Sequence, residues 1–152
     1  MVKVCLGGTF DIIHRGHEVL LNKALDAGDS IIIGLTTDAR AKKGRENEDI
    51  NSYSQREISL YNWLKSKNAE KRVSIVPLDD DWGPGALEED INSIVVSEET
   101  KSVAKKLNTH RIEAGMPQLE VIVVPMLDAS DGSRISSSRI RRKEIDSAGF
   151  ET

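Results

Sequence analysis

Residues 2–35 read VKVCLGGTFDIIHRGHEVLLNKALDAGDSIIIGL, and this stretch decides the fold. Its two ends, Val2–Leu6 and Ser30–Leu35, are short runs that are apolar on consecutive positions, which is typical of parallel strands covered on both faces. Between them, apolar residues recur at helical spacing at Val19, Leu20, Ala24 and Leu25. Gly28 follows as a helix stop. The stretch therefore predicts a strand–helix–strand unit.

The same alternation continues along the chain. Three more strands are predicted at Val73–Leu78, Ser93–Val96 and Leu119–Pro125. Further helices are predicted from Ser54, where Glu57 would complete a capping box, from about residue 99 to 114, and after Ser136. Alternating strands and helices indicate one α/β domain over residues 1–152, a Rossmann-like open parallel five-stranded sheet with helices on both faces.

Three polar segments follow predicted strands and are expected to be loops: Thr36–Tyr53, Asp79–Gly85 and Met126–Ile135. Ligands of open parallel sheets bind at the carboxyl ends of the strands, so all three segments are candidates for binding. The second segment contains Trp82, whose apolar surface could meet a ligand. A half-buried tryptophan in a turn is the slightly preferred alternative.

Composition narrows the class of protein. The chain has 152 residues, 38% of them hydrophobic and 30% charged, with a formal net charge of −4, which disfavours general nucleic-acid binding. It has no apolar run near the ~20 residues that a membrane span needs. The single cysteine, Cys5, excludes an internal disulfide and favours a reducing, cytoplasmic setting. Because Cys5 stands in an apolar run, we expect a buried side chain rather than a nucleophile.

The segment between the first strand and the first helix carries the first chemical signal. It places Gly8, Thr9, Phe10 and Asp11 at a strand exit and His14, Gly16 and His17 at a helix start. Glycines there would let the backbone approach a ligand, the unpaired N–H groups of the helix start suit phosphate, and imidazoles can stabilise transition-state charge. Turn glycines with surface histidines are the alternative. No ligand cluster completes a zinc site, and G-x-G-x-x-G is absent.

A second signal lies at residues 131–141, which read DGSRISSSRIR. Its three consecutive serines are Ser136, Ser137 and Ser138, and Arg141 ends the run. Serines at a helix start are ordinary N-cap residues. Hydroxyls, helix N–H groups and arginines together also form a good anion site.

The first segment resembles the HxGH signature of the nucleotidyltransferase superfamily related to class I aminoacyl-tRNA synthetases, and the second resembles its ISSTxxR motif. The two motifs occur in family order, each after a predicted strand. The resemblance implies that a nucleoside triphosphate is bound, with His17 at the α-phosphate and His14 beside it. It places Thr9 near the reacting phosphates and the serines with Arg141 at the β- and γ-phosphates. It also implies Mg²⁺, held mainly by ATP phosphates, with no protein metal site.

The Gly8–Asp11 opening, the Ser-Glu-Glu-Thr piece at 97–100 and the 131–141 ending are similar to archaeal phosphopantetheine adenylyltransferases. This resemblance implies ATP and 4′-phosphopantetheine as substrates, no nucleic acid or membrane partner, and Ser97 and Glu98 close to the adenine or ribose. Glu98 is nearly as well interpreted as a first-turn acidic residue. The bacterial enzymes commonly lack a histidine at the position of His14, so their hexamer is not carried over.

Two further positions, Lys42 and Arg56, have more than one interpretation. The superfamily places a basic residue after the second strand, which implies that Lys42 meets the acceptor phosphate. Lys43 is a second candidate for the same role. A solvated basic patch without a role in binding is an equal alternative. Tyr53 and Arg56 match another superfamily-associated position with lower specificity, and Arg56 is also interpretable as a surface residue.

There are two rival functions. The first is a sister transferase, either a cytidylyltransferase or an adenylyltransferase whose acceptor is nicotinamide mononucleotide or FMN. The second is a non-catalytic nucleotide-binding regulator. The Ser-Glu-Glu-Thr piece speaks against the first, and the intact His14, His17 and Arg141 speak against the second. A class I synthetase fragment is disfavoured because the chain is too short for an anticodon domain and its charge suits tRNA poorly.

Overall fold

The structure is a computed structural model that describes residues 2–11, 13–42, 50–79, 89–98 and 100–125. The strands are β1 Lys3–Gly8, β2 Ser30–Thr36, β3 Val73–Leu78, β4 Ser93–Ser97 and β5 Glu120–Val124. The helices are α1 Arg15–Ala27, α2 Asp38–Lys42, α3 Tyr53–Ser66 and α4 Lys101–Glu113, with a 3₁₀ turn at Glu70–Arg72.

The five strands form one sheet in the order β3-β2-β1-β4-β5, and every described pairing is parallel. This confirms the predicted open parallel sheet. β1 is paired with β2 on one side and with β4 on the other. The direction of winding therefore reverses between β1 and β4, and the crevice outside their carboxyl ends is where such sheets bind ligands.

The core is divided between the two faces of the sheet. On one face, side chains of β1 and β2 such as Val4 and Ile31 pack with Leu21 of α1 and Leu60 of α3. On the other face, a second cluster joins residues of β1, of β2 and of the segments that enter β4 and β5 to Leu107 of α4: Cys5, Ile32, Ile91 and Leu119. The alternation of neighbouring strand residues between two clusters confirms helices on both faces and the burial of Cys5, which is 3% exposed.

Two local expectations were wrong. The capping box of α3 is formed by Ser52 and Gln55, not by Ser54 and Glu57, because Ser52 offers the same Ser-x-x-Gln pattern one half-turn earlier. The segment Thr36–Tyr53 is not purely a loop, since it contains the five-residue helix α2. The helix predicted after Ser136, the loop Met126–Ile135 and Trp82 lie outside the described residues. In the described part of the chain, no helix has the length and apolarity to cross a membrane.

Candidate active site

The turn that leaves β1 is held in an unusual backbone conformation. Phe10 has a φ of +47°, which is a rare and strained value for a bulky residue. Its ring is 1% exposed and lies over Gly8, where an added Cβ would sit 2.9 Å from Phe10 Cε2. Glycine is therefore required at position 8 to admit the Phe10 ring. The expectation that the backbone at this glycine approaches a ligand stays a prediction.

His14 is the N-cap of α1. Its Nδ1 accepts hydrogen bonds from the backbone N–H groups of Gly16 (3.1 Å) and His17 (3.4 Å). A Cβ at Gly16 would lie 2.9 Å from Cε1 of the His14 ring, so glycine between the two histidines makes room for the cap. Two of the N–H groups that we expected to be unpaired for phosphate are thus already bonded to His14.

Two histidine rings and a phenylalanine ring stand together at this helix start. The rings of His14 and His17 are stacked with centroids 3.9 Å apart, and the Phe10 ring centroid is 5.0 Å from that of His17. Burial lowers the pKa of His14 to about 4, against an opposing effect of the nearby Glu18 carboxylate. His14 is therefore neutral near pH 7, and because its Nδ1 accepts, its proton is on Nε2. This makes His14 a neutral Nε2–H donor.

Arg56 is buried completely (0% exposed) between the carboxyl ends of β1 and β2. Its Nη1 donates to the carbonyl of Thr9 (3.0 Å) and to Oγ1 of Thr36 (3.2 Å), the last residue of β2. Its Nε donates to the carbonyl of Asn51 (3.0 Å), and its Nη2 pairs with Oδ1 of Asp38 (3.2 Å). The interpretation of Arg56 as a surface residue was wrong, because its side chain is buried against the turn that leaves β1.

Two further contacts tie the turn after β1 to the segment that enters α3. The buried carboxylate of Asp11 accepts from the backbone N–H of Asn51 (2.8 Å), and the Asn51 amide donates to the Asp11 carbonyl (3.4 Å). Asp38, in the first turn of α2, accepts from the backbone N–H of Tyr53 (2.8 Å). These contacts anchor α2, whose last residue is the exposed Lys42, beside the same turn.

The turn that follows β4 is more exposed than the turn that follows β1, where Phe10 and Asp11 are buried. Ser97 ends the strand, and its backbone N–H donates to Oγ1 of Thr100 (3.1 Å). Glu98 pairs with Lys101 at 3.1 Å, and both side chains are about half exposed (54% and 48%). The structure therefore places Ser97 and Glu98 at the same edge of the sheet as Thr9 and His14.

The predicted site residues of the described chain thus follow strands at the same edge of the sheet. Those of the second motif, Ser136, Ser137, Ser138 and Arg141, lie outside the described residues, as does Lys43. The sequence reading missed Thr36, Asp38 and Asn51 as partners of the site. The four-residue spacing of Arg56, Leu60 and Leu64 was the available signal, since it puts Arg56 on the buried face of α3.

Comparison with known proteins gives the family. A cytidylyltransferase-like family model matches residues 5–143. The phosphopantetheine adenylyltransferase of Methanopyrus kandleri is 40% identical over 139 residues, which cover 91% of this chain and 88% of the relative. That of Methanothermobacter thermautotrophicus is 41% identical over 146 residues, covering 96% and 87%.

This chain belongs to the phosphopantetheine adenylyltransferase family. A crystal structure of a protein of unknown function from Archaeoglobus fulgidus has the same fold, with a TM-score of 0.73 and 30% identity over 81% of this chain and 89% of that one. The family is one of nucleotidyltransferases, and both named relatives match nearly the whole chain. The expected family is therefore confirmed.

Proposed function

We propose that this protein transfers the adenylyl group of ATP to 4′-phosphopantetheine, giving dephospho-coenzyme A and pyrophosphate. The observation that carries the proposal is the stacked pair of His14 and His17 at the carboxyl end of β1, in a chain about 40% identical to phosphopantetheine adenylyltransferases over most of its length. Donors at this position suit a reaction in which charge develops on phosphate oxygens.

The reaction is a direct displacement. A phosphate oxygen of 4′-phosphopantetheine attacks the α-phosphorus of ATP, the new P–O bond forms, and the bond from the α-phosphorus to the oxygen bridging to the β-phosphate breaks. Pyrophosphate leaves with the electron pair of that bond. Such a displacement needs positioning and charge stabilisation rather than a covalent protein nucleophile.

The described residues supply these needs in distinct ways. His17 acts on the α-phosphate in the transition state, and the Nε2–H of His14 donates to a phosphate oxygen beside it. Thr9 meets the reacting phosphates, and Lys42, on the neighbouring helix α2, meets the acceptor phosphate. Because His14 is neutral at pH 7, its contribution is an oriented hydrogen bond rather than a full charge.

Other assignments follow the family motifs. Ser136, Ser137, Ser138 and Arg141 hold the β- and γ-phosphates, and Ser97 and Glu98 lie near the adenosine. Mg²⁺ would be held mainly by the ATP phosphates and would neutralise phosphate charge there. Over the ranges that the structure covers, no three His, Cys, Asp or Glu side chains come together as a metal site, so no residue is assigned to the ion. The sole cysteine, a buried thiol, fits a proposed cytoplasmic location.

A pyrophosphate-release assay tests the proposal. ATP and CTP are each supplied with 4′-phosphopantetheine, nicotinamide mononucleotide, FMN or glycerol phosphate. We expect turnover with ATP and 4′-phosphopantetheine together, and dephospho-coenzyme A in the product by mass spectrometry. Turnover with another pair would assign a sister reaction, and tight ATP binding without turnover of any acceptor would make the protein a non-catalytic binder. Either result contradicts the proposal.

A further inference from the structure

Three polar groups form a chain at the carboxyl ends of β1 and β2. Arg56 Nη1 donates to Thr36 Oγ1 (3.2 Å), and Thr36 Oγ1 donates to Thr9 Oγ1 (3.1 Å). Arg56 is completely buried and Thr36 is 7% exposed, so solvent competes little for these bonds. This series of hydrogen bonds leads from the buried Arg56 to Thr9, the residue that directly follows β1.

The direction of this chain is fixed at its buried end. A guanidinium only donates hydrogen bonds, so Thr36 Oγ1 must accept from Arg56. Accepting a bond from a cation polarises the Thr36 hydroxyl and makes its own hydrogen a better donor, which favours donation onward to Thr9. The Thr9 oxygen is then an acceptor in this bond, and its hydroxyl hydrogen has no acceptor among the described residues.

Arg56 also fixes the backbone that carries this hydroxyl. The same Nη1 bonds the carbonyl of Thr9, immediately before the strained residue Phe10. Both the main chain and the side chain of Thr9 are therefore oriented from one buried cation. An ionised phosphate is an acceptor only, so it requires oriented donors such as this hydroxyl.

We propose that Arg56 and Thr36 are positioning residues that hold the Thr9 hydroxyl with its hydrogen directed to a substrate phosphate oxygen. The proposal rests on the proposed function, in which Thr9 meets the reacting phosphates. Neither Arg56 nor Thr36 touches substrate in it. Their effect on the reaction passes through one hydroxyl group.

A double-mutant cycle tests this proposal. Thr36→Val keeps the shape of the side chain but removes the middle hydroxyl of the hydrogen-bonded series Arg56–Thr36–Thr9. Thr9→Val removes the last hydroxyl of the same series. We expect kcat/KM for 4′-phosphopantetheine to fall about tenfold or more in T9V and about three- to tenfold in T36V, as for a hydrogen bond to a charged group. The double variant should be within about twofold of T9V alone, because Thr36 acts only through Thr9.

Two control variants separate positioning from structure. Thr36→Ser retains the hydroxyl and should restore most of the activity that T36V loses. Thr109→Val makes the same chemical change at an exposed position of α4, where the hydroxyl bonds only the Lys105 carbonyl among the contacts described, and should leave turnover unchanged. Melting temperatures of all variants show that each is folded at the assay temperature. A structural role for Thr36 would instead give effects that multiply in the double variant, and that result would overturn the proposal.

Failure of the proposed function is visible separately, in the wild-type protein. If the wild-type protein releases no pyrophosphate with 4′-phosphopantetheine, the proposed function is wrong. The affinities of the same four proteins for ATP and for 4′-phosphopantetheine are then measured by calorimetry, and the double-mutant cycle is calculated from them. Loss of the T36V effect in the T9V background, in either affinity, supports the positioning role. Equal T36V effects in both backgrounds for both ligands overturn it.

Discussion

The two edges of the sheet each contain a completely buried arginine, and the two arginines have different partners. At the carboxyl edge, Arg56 bonds the Thr9 carbonyl and the Thr36 hydroxyl beside the histidine pair. At the amino edge, Arg111 in the last turn of α4 donates to the carbonyl of Pro117 (2.8 Å), in the connection that leads into β5. Both side chains have lost their hydration, so each needs compensating bonds.

The difference shows that burial of a charged group does not by itself mark a functional site. Arg111 fixes a connection between two elements at the end of the sheet where parallel folds do not bind ligands. Arg56 fixes a strained turn whose neighbours carry the proposed chemistry. We therefore expect changes at the amino edge to affect stability alone, and changes at the carboxyl edge to affect turnover as well.

The largest expected effect is at the carboxyl edge. His17→Ala should lower kcat about a hundredfold or more, on the scale of a lost transition-state donor, while ATP still binds. Steady-state kinetics and ATP titration measure the two quantities. His110→Ala, which removes an exposed imidazole of α4, is the matched control and should retain normal kcat. Near-normal turnover of H17A would remove His17 from the mechanism.

The two arginines give the most direct comparison. Arg56→Met removes the donor of two carbonyls, a hydroxyl and the Asp38 carboxylate, so we expect the free energy of unfolding to fall by about 3 kcal/mol. Arg111→Met should lower it by about 1–3 kcal/mol. Urea unfolding measures both. At a temperature where both variants are folded, R56M should lose at least about tenfold in kcat/KM, since it removes the anchor of an oriented donor.

R111M should keep the wild-type kcat/KM per folded molecule. If both variants lose activity equally, the distinction between the edges fails. If R56M is destabilised but fully active, Arg56 has only a structural role.

The sheet was largely predictable from sequence, because parallel strands covered on both faces leave uninterrupted apolar runs. All five predicted strands occur within about two residues of their observed bounds. The proximity of His14 and His17 was predictable for a similar reason, since three-residue spacing at a helix start brings side chains together. These features depend on local pattern alone.

The partners of Arg56 were not predictable in this way. Its acceptors come from the turn after β1, the end of β2, the first turn of α2 and the entry to α3, and only the tertiary fold brings them together. The role of His14 as a cap was missed because the motif suggested free N–H groups. A signal did exist for both arginines: each lies in the apolar stripe of its helix, Arg56 with Leu60 and Leu64, Arg111 with Ala104 and Leu107.

The burial of His14 should have an effect of intermediate size on how the free energy of unfolding depends on pH. The pKa of folded His14, about 4, is below the ordinary value of 6.5, so the unfolded chain binds more protons between these pH values. Stability therefore rises with pH through this window and is lost as the pH falls from about 6.5 towards 4. We expect His14 to contribute up to about 3 kcal/mol to this loss.

His14→Asn separates this contribution from the titration of other groups, because asparagine is a good N-cap and does not titrate. Urea unfolding at pH 7 and pH 4.5 should show a smaller loss for H14N than for wild type. Equal losses in the two proteins would mean that His14 is not held neutral by its burial at the helix start.

The smallest expected effect concerns Glu98, the exposed residue that directly follows β4, and tests how far the site extends along the carboxyl edge. Glu98→Gln weakens a half-exposed ion pair with Lys101, so the free energy of unfolding should change by less than about 0.5 kcal/mol. If Glu98 accepts a hydrogen bond from the adenosine, loss of its charge should raise the KM for ATP about threefold. Lys101→Gln weakens the same pair from the other side and should leave that KM unchanged. An unchanged KM in E98Q would make Glu98 a surface residue and confine the site to the β1 and β2 side of this edge.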